Sequence, residues 1–353
     1  MELFRPIPVS AGAPAKFCFL AGLAVLLLCL STACSSPKKD HLIAGKTMGT
    51  TYHIKVAAAA GADLSGLQGR IEERLEQLNQ SMSTYRRDSE ISIFNRFRAV
   101  GQPFPVSADF YKVMVTGAEI HRLTRGAWDG TVSPLVRLWG FGSAQGIEKV
   151  PDPLSIDRSL AEVGFEQIDL SVSGALIKRK AGVSVDLGSI AKGYGVDAVA
   201  QLIRSMGFAD YLVEIGGEVY ATGRRSDGKP WKVGINRPDP SAPSDAVYRA
   251  LSLQGQAMAT SGDYRNFILI DGQAYSHIID PRSGYPVDNG VVSASVVALT
   301  CTLADGLATA LMVLDAEQGV ALLDRLDQVE GLIIVRGPDG KLQNHWSAGM
   351  DPQ

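Results

Sequence analysis

From Ile168 onward the chain breaks into short apolar runs, "ALIKRK", "VSVDLG", "DYLVEIGGEVYATG", "WKVGIN", "YRALSL", "NFILI" and "GVVSASVVAL", separated by turn residues such as Ser226-Asp227-Gly228. Helical patterns interrupt them only near 190–206, 303–313 and 316–325. Parallel strands need a crossover, usually a helix, between neighbours, and that alternation is missing. The pattern therefore predicts an α+β fold with a β-rich core, not a doubly wound α/β sheet. Upstream, Tyr52, Ile54 and Val56 alternate with Thr51, His53 and Lys55, as in a half-buried strand. Ile71, Leu75 and Leu78 share one helical face. Asp88 or Ser89 starts a short helix, and Ser107 caps another that holds Phe110, Val113, Met114, Ala118 and His121. Pro134 falls in the first turn of a further helix, and a linker, "KVPDPLS", precedes one near 157–163. No boundary interrupts 45–347, so these residues are expected to form one compact domain, with a linker at 34–44 and a tail at 348–353.

The N-terminus has a different texture. Arg5 and Lys16 precede an apolar run from Phe17 to Leu30, and Ser31-Thr32-Ala33 leads into Cys34. A run this short falls below the ~20 residues of a membrane span and fits a removable leader. Small residues directly before a cysteine resemble a bacterial lipoprotein signal, although Ser31 stands where leucine is usual. Residues 1–33 are then a signal peptide and Cys34 a lipidated first residue, anchored on the periplasmic side of a bacterial membrane. Ser35, rather than Asp, after that cysteine points to the outer membrane. Cys18 and Cys29 leave with the leader, so Cys301 alone remains in the domain and no internal disulfide forms. A formal charge of −3 gives no basic excess for nucleic acid.

Four segments carry candidate chemistry. In "VSVDLGSIAKGYGVD" a strand-like run passes into a helix start, with Asp186, Gly188 and Lys192 at the junction. A helix N-terminus and nearby glycines suit an anion, and Lys192 sits where the helix dipole disfavours a cation. A solvated lysine beside a structural turn is the plainer reading, and the spacing is neither a P-loop nor a dinucleotide fingerprint. In "TCTLADGLATALMV", Asp305 and Thr309 lie one helical turn apart. They are either hard oxygen ligands for Mg²⁺ or a cap and a packed threonine. His277 in "SHIIDPRSG", downstream of Tyr264 and Arg265, is either a packed histidine or an acid–base group. Trp128 and Asp129 in "RGAWDGTVSP" occupy a glycine-flanked turn whose ring can stack on a ligand or fill the core. Met48 and Tyr85 are further contributors. No Ser-His-Asp order and no Cys/His zinc spacing is present.

Taken in order, "TMGTTY", "MSTYRRDSEIS", "WDGTVSPLVRLWGFG", "VDLGSIAKGYGVD", "GGEVYATG", "ATSGDYRNF", "SHIIDPRSGYPV" and "ADGLATALMVLD" resemble the FAD:protein FMN transferases, the ApbE-type flavin transferases. The resemblance implies a fold related to the T-fold. It also implies Mg²⁺-dependent transfer of the FMN half of FAD, through its phosphate, to a Ser or Thr hydroxyl of a membrane-associated redox subunit, with release of AMP. Hydrolysis of FAD to FMN and AMP, or simple flavin carriage by a lipoprotein, are the alternatives. By motif, Met48, Tyr85, Ala127, Trp128, Asp129, Asp186, Lys192 and Ile278 would line the FAD site. Asp305, Thr309 and the main-chain carbonyl of Ser189 would hold the metal, and His277 is the candidate base. Many relatives have Ala at the position of Ser189, and the usual Phe is Trp128 here.

Overall fold

The computed structural model describes residues 37–142, 146–239, 241–243, 246–263 and 267–350. The leader with Cys34, and Tyr264 and Arg265, lie outside the described residues. The strands are β1 Lys38–Thr47, β2 Thr50–Ala59, β3 Pro103–Pro105, β4 Ile168–Leu170, β5 Ala175–Lys178, β6 Tyr211–Ile215, β7 Glu218–Thr222, β8 Trp231–Asn236, β9 Val247–Leu253, β10 Gln256–Gly262, β11 Phe267–Ile270, β12 Gln273–Ser276, β13 Val291–Ala298, β14 Glu330–Arg336 and β15 Leu342–Trp346. The helices are α1 Leu67–Met82, α2 Glu90–Arg96, α3 Ala108–Leu123, α4 Ser133–Leu138, α5 Pro153–Leu160, α6 Ala191–Ser205, α7 Cys301–Val313 and α8 Ala316–Leu323.

An eight-stranded sheet in the order β1-β2-β6-β7-β10-β13-β14-β15 forms the frame. Every neighbouring pair in it is antiparallel, the α+β arrangement expected from the missing crossover period. Its two faces alternate along each strand. Val219 and Ala221 of β7 and Leu332 and Ile334 of β14 pack with Trp231, Val233 and Ile235 of the β8–β9 ribbon. Tyr220 joins the cluster that holds Val196, Val199 and Ile203 of α6, and Ile333 joins the one that holds Leu307 and Leu311 of α7. Helix α7 is apolar over most of its girth, apart from Thr302, Asp305 and Thr309, and is buried accordingly, with Ala304, Leu307, Ala308 and Leu311 fully excluded from water.

The helices α6 and α7 are locked together at their starts. Neither has a side-chain cap of its own. Instead, Asp197 of α6 accepts the N–H groups of Cys301 and Thr302 at 2.8 Å each. In return, Asp305 Oδ2 of α7 accepts the N–H of Gly193 at 2.9 Å. Each helix thereby satisfies donors that the other leaves open at its first turn. The approach needs glycine, since a Cβ at position 193 would lie 2.4 Å from the Cys301 carbonyl oxygen.

Several expected elements differ. Residues 38–44 are not a linker, because they form β1 and pair with β2 along its length. The "KVPDPLS" stretch is already helical from Pro153, capped by Asp152, whose side chain accepts from the Ser155 N–H. "VSVDLG" is extended but belongs to no sheet, for reasons that concern the site. The small residues of β10, Ala257 and Ala259, are fully buried although they have little strand character as letters. Ala348 donates to Asp324, and Met350 is buried, so the expected tail begins as packed structure.

Gly193→Ala should push α6 off α7. The expected loss is about 1–3 kcal/mol or more of unfolding free energy, read by denaturant titration. An unchanged midpoint would mean that the two helix starts are not in backbone contact.

Candidate functional site

The β1–β2 hairpin closes with the two-residue turn Met48-Gly49, both in the left-handed region at φ 49° and 74°. This turn type suits the twist of the strands but favours Asn, Asp or Gly at its first position. A methionine held there stores strain of about 1–3 kcal/mol, a feature that concentrates at ligand sites. Behind the turn opens a cavity of about 1070 Å³. Its walls are the hairpin tip, the end of α1, the loop to Arg86, and the junction from Asp186 to Lys192. Four residues singled out by sequence, Met48, Tyr85, Asp186 and Lys192, line it together. Tyr85 is 89% exposed, an open ring at the mouth.

The junction is extended yet unpaired because side chains replace a neighbouring strand. Asn95 donates to the Val185 carbonyl at 2.8 Å and accepts from the Val185 N–H at 2.7 Å. Asp186 N–H bonds the Gly130 carbonyl at 2.7 Å. Lys178, fully buried, donates to the Val183 carbonyl at 2.7 Å and lies 4.7 Å above the Phe94 ring. Burial pushes the Lys178 amine down to about 8, with the Arg98 charge adding to the effect. The Asp186 side chain then accepts from Gly188 N–H at 2.9 Å, turning the chain into α6.

Lys192, in the first turn of α6, reaches Glu218 Oε1 at 2.7 Å and faces Asp305 Oδ1 at 3.8 Å. Burial alone would lower the lysine pKa, but the Asp305 and Glu218 carboxylates override it and hold the amine above its ordinary value. For Glu218, burial and the Asp305 charge prevail over Lys192 and push the carboxyl up to about 8. Its Oε2 is buried with no hydrogen-bond partner among the described residues. Two acids and one lysine thus share a nearly dry corner, an arrangement suited to a further cation. Glu218 was not singled out by sequence. The clue was an acid directly after the Gly216-Gly217 pair, where the chain turns left-handed at φ 63° and 105°. Cys301 is fully buried and its thiol is pushed well up by burial, as expected of a packed side chain and not a nucleophile.

The remaining expected residues are placed as follows. Thr309 lies one turn after Asp305 on α7 and shares a hydrogen bond with Ser261 at 3.2 Å. The Ser189 hydroxyl accepts from Trp128 Nε1 at 2.9 Å, leaving its carbonyl as the candidate ligand. Ala127 and Trp128 are each 1% exposed. The Trp128 ring packs 5.7 Å from Phe165, so it fills the core and does not stand open for stacking. Asp129 is also buried and accepts from Thr131 N–H at 2.7 Å and Phe165 N–H at 3.0 Å. Its carboxyl is raised by burial. With His121 and Glu166 it makes a grouping close enough to share an ion, but Asp129 already serves the turn from 129 to 131. Ile278 is partly buried and its carbonyl accepts from Val287 N–H at 2.9 Å. His277 stands edge-on to Phe141, with ring centres 6.3 Å apart. None of Ala127, Trp128, Asp129, His277, Ile278, Asp305 and Thr309 lines the 1070 Å³ cavity.

Comparison with known proteins agrees with this fold. The ApbE family model matches residues 48–333, and the chain belongs to that family. It is 43% identical to the FAD:protein FMN transferase of Vibrio cholerae over 91% of this chain and 95% of that protein. It is 38% identical to that of Haemophilus influenzae over 93% and 96%. Among solved structures, the flavin transferase ApbE from Vibrio cholerae superposes with a TM-score of 0.80 at 42% identity, covering 88% of this chain and 98% of that one. The apo flavinyl transferase ApbE of Pseudomonas stutzeri gives 0.78 at 36% identity, covering 88% and 95%.

Lys178 allows a test of how the junction is clamped. Its amine prefers the neutral form when folded, so the unfolded chain binds the extra proton between about pH 8 and the ordinary lysine value of 10.5. Stability should therefore rise with pH across that window. Melting curves should show the wild type gaining on Lys178→Met from pH 8 to 10.5; a constant gap would place the amine in water.

Proposed function

We propose that the protein transfers the FMN half of FAD to a Ser or Thr hydroxyl of a target redox protein and releases AMP. The observation that carries this reading is Lys192, held by Glu218 and Asp305 behind it and lining a cavity large enough for a dinucleotide. The family membership and the names of the relatives support it.

The acceptor oxygen attacks the FMN phosphorus, a new P–O bond forms, and the bond to the AMP phosphate breaks. Lys192 lines the cavity and sets its positive charge against the pyrophosphate, which otherwise repels the incoming oxygen. Glu218 and Asp305 keep that amine protonated and aimed. The acceptor proton must leave, and His277 is the candidate base. The donors expected for Mg²⁺ are all hard oxygens: the Asp305 carboxylate, the Thr309 hydroxyl and the Ser189 carbonyl. Asp305 fits, since its Oδ2 is committed to Gly193 while its Oδ1 has only the more distant Lys192 charge. Bound there, the ion would neutralise charge on the leaving phosphate. The exposed rim at Tyr85 also admits water, which would divert FAD to free FMN and AMP. A carrier role would release no AMP.

In a Mg²⁺ titration of AMP release from FAD, Asp305→Ala should abolish the response and Thr309→Val should shift it to higher Mg²⁺. Ser189→Ala keeps the carbonyl, so its titration midpoint should stay. That variant should lose about 1–3 kcal/mol of stability, because the Trp128 indole N–H loses its partner. A midpoint shift in Ser189→Ala as large as that in Thr309→Val would make the hydroxyl the ligand. His277→Ala should bind FAD normally while flavin transfer slows by about two to four decades; a normal rate removes it as the base.

We also propose lipid anchoring at Cys34 on the periplasmic side of the membrane, with membrane-associated redox subunits as acceptors. Cys34→Ser should yield an unprocessed precursor that incorporates no labelled palmitate. Label in that variant would place the lipid elsewhere.

A further inference from the structure

Beside the cavity lies a second cleft of about 410 Å³, sharing Thr84, Tyr85 and Asp186 with it. Three arginines, Arg96, Arg98 and Arg137, line it. Some arginines outside the cleft are paired with acids: Arg74 with Asp109, Arg86 with Glu76, Arg179 with Asp169 and Arg282 with Asp280. In the cleft all three arginines bond neutral acceptors. Arg96 donates to the Arg87 carbonyl at 2.7 Å, Arg98 to the Ala181 carbonyl at 2.9 Å, and Arg137 to the Ser133 hydroxyl at 2.7 Å. No ion pair to any of the three occurs among the described residues. Asp186 is the one acid on the cleft wall among the described residues, and its Oδ1 is turned to Gly188.

This is a concentrated positive charge on a chain whose formal charge is −3. All three guanidinium groups are exposed and keep most of their donors free of side-chain acids. The floor beneath them is rigid, because Asn95 and Lys178 bind the 183–185 backbone from below. A cleft of this size takes a few residues of extended chain, and it adjoins the cavity at Thr84, Tyr85 and Asp186.

We propose that the arginine cleft docks an acidic stretch of the acceptor protein, next to the hydroxyl that receives the flavin phosphate. The proposal rests on the transfer reaction given above. Its concavity and its shared wall with the cavity favour a peptide segment over a flat anionic membrane surface. Carboxylates on the segment would pair with Arg96, Arg98 and Arg137 at the rim, raising the encounter rate and fixing the direction of the segment.

The test uses the FAD-loaded full chain in detergent. The probes are a labelled short peptide with aspartates on both sides of one threonine and its counterpart with asparagines, measured by fluorescence anisotropy. The acidic peptide should bind about tenfold more tightly at low salt, and the difference should shrink as salt rises. The double variant Arg96→Ser, Arg137→Ser should erase the preference while its FAD affinity and melting curve stay as in the wild type. Equal binding of the two peptides, or a preference that survives in the double variant, overturns the proposal. A parallel loss of FAD affinity would assign the cleft to the dinucleotide instead. Arginine-dependent binding to phosphatidylglycerol vesicles with no peptide preference would assign it to lipid. If the transferase reading itself fails, no peptide will trigger AMP release, whereas the anisotropy comparison still decides whether the cleft takes acidic chains.

Discussion

Two aspartates hold the functional corner in place. Asp197 caps the start of α7 and Asp305 caps the start of α6, each from the other helix. The exchange fixes the two helix starts at backbone contact, which only glycine at position 193 permits. The residues proposed to meet the phosphates and the metal hang from this junction. Lys192 precedes Gly193, Thr309 follows Asp305 by one turn, and Ser189 lies in the turn into α6. Because Asp305 both binds Gly193 and faces Lys192, one carboxylate serves architecture and electrostatics together. The same dry corner raises the energetic stakes, since a charge buried there without a partner is costly.

The site is preorganised by interactions that are not themselves chemical. Residues 183–187 look like a strand but are held by one asparagine, one buried lysine and one carbonyl from the 127–131 turn. Without ladder partners the segment can present Asp186 and the following turn to the cavity, and sheet pairing would have turned that backbone inward. The strained Met48 turn works from the opposite wall. Its rigid hairpin carries the tip to the cavity, while the methionine side chain packs near Gly195 of α6. A substrate entering between these walls meets groups that need little rearrangement, which is where electrostatic stabilisation is most effective.

Much of this was legible in the letters. Alternation gave β2, helical spacing gave α1, and Ser89 and Ser107 cap α2 and α3 through their side chains. The junction at Asp186 to Lys192 and the pairing of Asp305 with Thr309 on one helix were visible as spacing. The paired role of Asp305 was not, because the N–H it accepts lies 112 positions away in sequence. Glu218 was hidden for the same reason: its environment comes from α6 and α7, not from its own strand. At Trp128 the letters left two readings open. A tryptophan in a glycine-flanked turn suits ligand stacking, but a core gap beside Gly117 and Phe165 takes the whole ring. The leader and Cys34 were read from sequence, and the described residues do not bear on them.

The hydrogen bond from Trp128 to Ser189 links two positions that seem unrelated on paper. An indole brings a donor that must be matched once it is buried, whereas a phenyl ring brings none. A chain with Phe at position 128 is therefore free to carry Ala at 189, and one with Trp is not. Evolution across this pair should then run as a correlated exchange, Trp with Ser or Phe with Ala, and mixed combinations should be disfavoured. The energetic signature is non-additivity: in a double-mutant cycle the second replacement would recover part of what the first one loses. Sequence drift at a wall of the site is thus governed by the hydrogen-bond economy of the core behind it.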